Sequence, residues 1–499
     1  MIGITAYAPY LPLFRLERSA IAQAWGGRQP SGAVAVANYD EDALTLAIEA
    51  AIGCLGDRRA VGGVHFASTS APYLEKQCAS VVATACDLPR EIFTADYTGS
   101  TRCGVSALLA ALRTVQAGAT ESILVTAADV RVAAAESELE GALGDGAAAF
   151  AVGSGEVIAE FVDAASISEE FTYHWRTDRQ RAVQVAGGRF ANDYGYARDV
   201  QPAIAAILQR QSLAPAAMAA LALYSPDARA AADLAKSMGF AASQLVAPLA
   251  PEIGCTGSAE ALLLLARALD NAAPGDLILV GGFGEGADVL LFRATPALAG
   301  RRAATAVRAW VDAGAPLSSY EKYLKYRRLV DVDEPTDVVT SVLESKELRQ
   351  NVRLHGSRCR SCGQVQYPVA RVCVACLSRE CLDDTPVGRR GTVFTFTVDH
   401  LVANLEHPLP MAVVDAEGGG RLYLQVADSD SIDIGDPVVL TYRRLHEGGG
   451  NWNYDWTARR VRPQAAPASP SRGQGSGVGD QGWLSTSSTS IEKKNAVEQ

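Results

Sequence analysis

Four cysteines carry the clearest chemistry in this sequence. Cys359, Cys362, Cys373 and Cys376 form a C-x2-C pair, ten intervening residues, then a second C-x2-C pair. Two tight turns that each present two thiolates suit one tetrahedral ion. Gly363 follows the first pair, where a positive φ lets the backbone wrap around a metal. Thiolates are soft ligands, and all four coordination positions are filled. The expected ion is therefore a structural zinc with no open position for catalysis. The spacing alone also admits an iron site of rubredoxin type. Disulfide pairing is the other alternative.

The elements around this cluster divide the chain. Residues 1–295 alternate short apolar runs with alanine-rich helical stretches, which predicts layered α/β architecture. Ile2–Ala8 and Gly63–Ser68 read as strands, and Asp42–Leu55 and Ser106–Ala117 as helices. Ser122–Ala128 is a continuous apolar run of the kind expected of a strand covered on both faces. A weak repeat pairs Ser122–Ala128 and Gly144–Val152 with Leu277–Gly282 and Glu285–Phe292, suggesting two similar halves. Residues 300–355 gain Lys, Arg, Glu and Tyr, and Tyr320–Arg328 reads as an exposed amphipathic helix. After the cysteines, Gly391–Asp399, Pro410–Asp415, Arg421–Ala427 and Asp436–Arg443 read as strands of a small β-barrel. The expected map is two α/β halves at 1–160 and 161–298 and a helical linker at 299–355. A zinc ribbon at 356–385, a barrel at 386–463 and a disordered tail at 464–499 complete it.

Composition excludes several classes. The net charge is -11, which opposes a nucleic-acid binder. No stretch approaches the roughly 20 apolar residues of a membrane span, and no basic start leads into a long apolar run. Apolar runs such as Ala259–Leu269 carry charges and read as buried helices. Six further cysteines are scattered through the chain, so reduced thiols and a cytoplasmic location are expected, against the disulfide alternative.

A zinc ribbon followed by a small barrel resembles the rubredoxin-like zinc ribbon and OB-fold proteins that accompany thiolase-superfamily enzymes. The first 295 residues resemble hydroxymethylglutaryl-CoA synthases of archaeal and bacterial type. The phrases that carry this are MIGITAYAPYLP at the start, HWR at His174–Arg176, GGRF at Gly187–Phe190 and GGFGEGAD at Gly281–Asp288. The resemblance implies a thiolase-like five-layer fold of two similar halves, a homodimer, and a tunnel for the pantetheine arm of CoA.

It also implies a Cys nucleophile, a Glu acid/base and a His, and here the chain departs from its relatives. The family's cysteine falls on Thr101, with Cys103 two residues further on. Its glutamate falls on Thr69, its histidine on Tyr224 and its asparagine on Cys255. A threonine hydroxyl needs an adjacent base, and none is evident in the matching positions, so acyl transfer through Thr101 is not expected. Cys103 could act if the loop register slipped, its pKa lowered by Arg102 and the helix start; two helical positions otherwise turn it away. Tyr224 could donate to an enolate oxygen, which suits aldol or retro-aldol chemistry; a packed tyrosine is the alternative. Cys255 sits on a glycine-flanked loop facing the same tunnel, and a packing role is the alternative there. Thr69, Thr101 and Ser258 are candidate hydroxyl donors to an enolate. His174 and Asp193 border the pocket as possible acid/base groups. Arg189 and Arg176 could meet CoA phosphates or a substrate carboxylate, or form structural ion pairs. The expected function is an acyl-CoA enzyme that makes or breaks a carbon–carbon bond next to a carbonyl, acting on acyl-CoA or β-ketoacyl substrates. The rival is a non-catalytic acyl-CoA-binding partner of a separate thiolase.

Overall fold

Nine strands form the body of the first 300 residues: β1 (Ile2–Tyr10), β2 (Gly63–Ala67), β3 (Phe93–Tyr97), β4 (Ser122–Asp129), β5 (Gly146–Ser154), β6 (Ala159–Ser168), β7 (Met218–Leu223), β8 (Leu277–Phe283) and β9 (Gly286–Ala294). They come from a computed structural model that describes residues 1–461 apart from 29, 59, 226, 332–340, 380–381, 402–405, 407 and 449. The tail expected to be disordered lies outside the described residues, as does the middle of the linker.

The strand order is β7-β8-β9-β6-β1-β5-β4-β2-β3. The run β1-β5-β4-β2 is repeated as β6-β9-β8-β7, with the same antiparallel hairpin in each (β4 with β5, β8 with β9). The repeat seen in the sequence is these two hairpins. Within the sheet, β1 and β6 join the halves through the pairs Gly3 with Glu160 and Ile4 with Ala159.

Two helices lie between the halves. These are α3 (Cys103–Gln116) and α5 (Glu260–Asn271), and each packs on strands of both halves. Most residues of each are buried, and the exposed ones, Arg113 and Gln116 in α3 and Asn271 in α5, lie at the C-terminal ends. On the outer face of the first half lie α1 (Ala43–Leu55) and α2 (Cys78–Ala85), and on the second lies α4 (Ala197–Arg210). Helix, sheet, helix, sheet, helix gives the five layers. The start of α1 is fixed locally: Asp42 accepts from the Leu44 and Thr45 amides at 3.0 Å each, and Thr45 Oγ1 accepts from the Asp42 amide at 2.9 Å.

The linker differs from its expected exposure. In α6 (Tyr320–Tyr326) the tyrosines at 320, 323 and 326 are buried against Leu16, Ile21, Val34 and Val36. The charged residues that suggest a solvated helix occupy one face only.

Beyond it, β10 (His355–Cys359), β11 (Val365–Gln366) and β12 (Leu382–Pro386) make the ribbon sheet. A closed barrel follows, from β13 (Arg390–Asp399), β14 (Leu409–Ala416), β15 (Arg421–Ala427), β16 (Pro437–Gly448) and β17 (Asn451–Arg460). Its fifth strand, β17, joins the four expected ones. Barrel residues Val438, Leu440, Tyr442 and Trp456 share one apolar core with α1 and α2. Buried ions fasten the same interface. Arg443 reaches Asp40 (3.2 Å), Glu41 (2.7 Å) and Asp428 (2.9 Å), and Arg459 reaches Glu49 at 3.1 Å.

Candidate active site at the junction of the halves

Five loops converge at the ends of the central strands. They follow β2 (Ser68–Ser70), β4 (Asp129 to Arg131) and β7 (Tyr224), and they precede α3 (Thr101) and α5 (Cys255–Ala259). A fully buried carboxylate, Asp129, holds two of them together. It accepts from the Ser68, Thr69 and Ser70 hydroxyls at 3.0, 2.9 and 2.8 Å, from the Thr69 amide at 2.7 Å, and from the Ser258 amide at 2.8 Å. Gly257 is required by this closeness: its φ is +61°, and a Cβ there would lie 2.3 Å from Asp129 Oδ2 and 2.8 Å from Arg131 Nε.

The hydroxyls expected to serve an enolate have their protons committed elsewhere. Thr69 Oγ1 donates to Asp129, Thr101 Oγ1 donates to the Phe283 carbonyl at 2.7 Å, and Ser258 Oγ points at the Ala67 carbonyl at 3.5 Å. Cys103 is the first residue of α3, yet its thiol is not acidified. Burial raises its pKa well above the ordinary range, with Asp129 adding to this, and Ser258 only partly opposes it. The desolvation of a 4 % exposed thiol outweighs the helix terminus.

The unexpected centre surrounds Cys255. Arg131 Nη2 lies 3.2 Å from Cys255 Sγ, and Tyr224 Oη lies 3.9 Å from it. Glu260, at the start of α5, acts electrostatically on the same thiol. Burial pushes the Glu260 carboxyl up to about 7, against the pull of Cys255 and Arg131. Burial and Glu260 push the Cys255 thiol up to about 12, and Arg131 opposes them. Burial would weaken the charge on Arg131, but Cys255, Tyr224, Asp129 and Glu260 outweigh it and keep the guanidinium protonated. Burial holds the Tyr224 phenol well above its usual value, with Cys255 adding to it. His174, on a two-residue strand, stacks on Tyr173 at 4.0 Å; burial, then Arg131, lowers its pKa to about 3, so the ring is neutral.

The absence of an evident base therefore held only for positions matched to the family; Glu260 stands in the site. Its charge, buried in an apolar helix, was the available signal, as was Arg131 between Asp129 and a run of alanines. The site brings together Tyr224, Cys255 and His174 around Arg131, and Thr69, Ser258 and Cys103 around Asp129. Arg176 donates to the Thr69 and Arg181 carbonyls. The side chains of Arg189 and Asp193 fall outside the described residues.

At the ribbon, the four Sγ atoms lie within 4.8 Å of one another, with Cys359–Cys376 and Cys362–Cys373 at 3.6 Å. That is far beyond a disulfide bond and close to the roughly 3.8 Å edge of a tetrahedron with Zn–S of about 2.3 Å. Gly363 has φ +79°, as expected, and Leu377 takes the corresponding place after the second pair at +62°. The donor set fits zinc.

Residues 349–380 match the family model described as the ChsH2 rubredoxin-like zinc ribbon domain, and 384–443 the ChsH2 C-terminal OB-fold domain. The hydroxymethylglutaryl-CoA synthase of Methanocella arvoryzae is 30 % identical over 297 residues, covering 57 % of this chain and 85 % of the relative. That of Methanocaldococcus jannaschii is 30 % identical over 299 residues, covering 58 % and 86 %. Among solved structures, an HMG-CoA synthase complexed with CoA aligns with TM-score 0.60 at 19 % identity, over 67 % of this chain and 92 % of that one. OleA of Xanthomonas campestris with bound lauric acid and lauroyl-CoA aligns with TM-score 0.52 at 19 % identity, over 59 % and 98 %. Among the described residues, no helix is long and apolar enough to cross a membrane.

Proposed function

The chain belongs to the hydroxymethylglutaryl-CoA synthase family, and from that premise we propose that it acts on CoA thioesters, forming or breaking a carbon–carbon bond next to the thioester carbonyl. The observation that carries this reading is the set of unsatisfied polar atoms around Cys255. Arg131 Nε, Glu260 Oε2, Thr256 Oγ1 and both His174 ring nitrogens are buried and have no hydrogen-bond partner among the described residues. An orphaned buried polar group costs about 1–3 kcal/mol, so a cluster of them argues for a ligand that completes it. The donors among them, together with the Tyr224 hydroxyl, would hold the carbonyl oxygen as it becomes an enolate.

Purified protein incubated with a panel of acyl-, 3-ketoacyl- and 3-hydroxyacyl-CoA compounds, with chromatography and mass spectrometry of the CoA species, tests this. Turnover to chain-shortened or chain-extended thioesters supports it. Binding without turnover of any of them would favour the rival, a non-catalytic acyl-CoA-binding partner of a separate thiolase. In the active protein Tyr224→Phe is expected to slow turnover by about 10²–10³-fold, the range of a lost transition-state donor. The ribbon is read as holding one structural zinc. A homodimer is part of the same reading, since β3 is an edge strand whose Phe93 is largely exposed; sedimentation at micromolar concentration tests it.

A further inference from the structure

Two buried polar atoms outside the cluster around Arg131 share one short turn. A single π-helical turn, Asn192–Tyr196, runs straight into α4. Such wide turns are rare and recur at functional sites. Asn192 and Tyr196 are four residues apart, so they project from the same face. Gly195 between them lets the Phe171 ring close on the turn, since a Cβ there would lie 2.5 Å from it. Tyr196 is 1 % exposed, and its hydroxyl has no hydrogen-bond partner among the described residues. The same holds for the buried Asn192 Oδ1. The Asn192 amide nitrogen donates to Asp227 Oδ2, which fixes the side-chain orientation and leaves the oxygen as a pure acceptor. Ser225, the residue after Tyr224, gives its own proton to the Asp227 carbonyl. Burial raises the Tyr196 phenol above its ordinary range, with Ser225 opposing and Glu260 and Asp227 adding, so the oxygen keeps its proton. The turn adjoins the site already described. The Tyr196 ring meets Phe283 edge-on at 5.4 Å. The Phe283 carbonyl holds Thr101, and the Phe283 ring also faces Tyr173 at 6.3 Å, which stacks on His174.

We propose that Asn192 and Tyr196 form a subsite for a hydroxyl group, so that the acyl chain taken up by this protein carries one. This rests on the acyl-CoA reading above and narrows its substrate to a hydroxyacyl thioester. Tyr196 offers a proton with no acceptor, and Asn192 offers an acceptor with no proton. A hydroxyl satisfies both at once: its proton goes to Asn192 Oδ1 and its oxygen accepts from Tyr196 Oη. A carboxylate has nothing to give Asn192 and would face Asp227. Burial raises the Asp227 carboxyl, but the bonds from Asn192 and from the Ala230 and Arg229 amides outweigh this and keep it ionised. A ketone would pair with Tyr196 and leave Asn192 unmet. A plain alkyl chain leaves both groups unpaired in a buried place, which is the costly case. Sites built to bond a substrate hydroxyl reject the analogue without it far more sharply than apolar pockets sort chain length.

The test titrates the full chain with hexanoyl-CoA, 3-hydroxyhexanoyl-CoA and 6-hydroxyhexanoyl-CoA by calorimetry, and takes kcat/KM for any that turns over. One of the hydroxylated probes is expected to bind about 10–100-fold more tightly than hexanoyl-CoA. Tyr196→Phe keeps the ring against Phe283 and removes only the hydroxyl. It should erase most of that preference while holding hexanoyl-CoA affinity within about threefold of wild type. A second measurement needs no ligand. Because the hydroxyl is unpaired, Tyr196→Phe should leave the thermal midpoint of the free protein unchanged or raise it, where loss of a hydrogen-bonded hydroxyl would lower it. Equal binding of all three probes, a preference that survives Tyr196→Phe, or a lowered midpoint overturns the hydroxyl subsite and leaves the acyl-CoA reading standing. Neither binding nor turnover of any probe overturns both.

Discussion

Arg443→Met should loosen the barrel from the body by an amount that the geometry sets. Arg443 is fully buried, and its two terminal nitrogens hold Asp40, Glu41 and Asp428 at 2.7–3.2 Å. Methionine fills similar space but removes the cation that these three carboxylates share. Removing one member of a buried charge cluster costs about 3–5 kcal/mol. Unfolding entropy of about 2.1 cal/mol/K per residue, summed over residues 1–461, is about 1 kcal/mol/K, so the thermal midpoint should fall by about 3–5 °C. The deficit should depend on pH. Burial already raises Asp40 to about 7 and raises Glu41, in both cases against Arg443. A carboxyl raised in the folded state takes up a proton on folding, so its contribution is fully present below the unfolded pKa and is lost as pH rises through the folded one. Without Arg443 both carboxyls rise further. Scanning calorimetry at about pH 5.5, 7 and 8 should show the deficit largest at the alkaline end and shrinking on acidification. A loss under about 1 °C, or a deficit that grows on acidification, would refute the claim that this ion cluster secures the interface.

Four further outcomes are expected. His355 bridges Asp87 of the body at 2.9 Å and Asp384 of the ribbon at 2.7 Å, and its pKa is raised by the bond to Asp87. Its stabilisation is present below about pH 6.5 and lost as pH rises through the higher folded value, so the midpoint gap between wild type and His355→Gln should narrow as pH rises above about 6.5; a constant gap contradicts this. Elemental analysis should find one zinc per chain, and Cys373→Ala should lose it together with the ribbon's resistance to proteolysis, since structural zinc supplies folding energy directly. Gly257→Ala, which must place a methyl against Asp129 and Arg131 at positive φ, should lower stability by about 1–3 kcal/mol in denaturant titration. Thr101→Val should leave turnover of CoA thioesters within about threefold of wild type, because the Thr101 hydroxyl donates to the Phe283 carbonyl; a hundredfold loss would return the chemistry to that position.

How much of this was legible depended on where burial and charge agreed. Apolar runs such as Ser122–Ala128 and Leu277–Gly282 announced the paired hairpins because a strand covered on both faces has no polar side to disguise it. The strand β17 was missed because its aromatic and charged residues do not read as a core strand. Arg459 enters the core there only because Glu49, some 400 residues away, neutralises it. Tyr320, Tyr323 and Tyr326 recur every third residue, a buried stripe hidden among lysines and arginines. The site shows the same pattern in reverse. Matching to relatives located Thr69, Thr101, Tyr224 and Cys255, but Arg131 and Glu260 are defined by each other and by Cys255, a relation that no single position displays.

The shared core of α1, α2 and the barrel has a consequence for how the chain is made. Leu55 ends a helix whose covering strand ends at Arg460, about 400 residues later. At a translation rate of about 5–20 residues per second, the apolar flank of the first half stays uncovered for roughly 20–80 s, longer than most domains need to fold. The nascent protein must therefore shelter that flank until its last strand emerges. A ribosome that stalls within the ribbon would leave a folded body with an adhesive side.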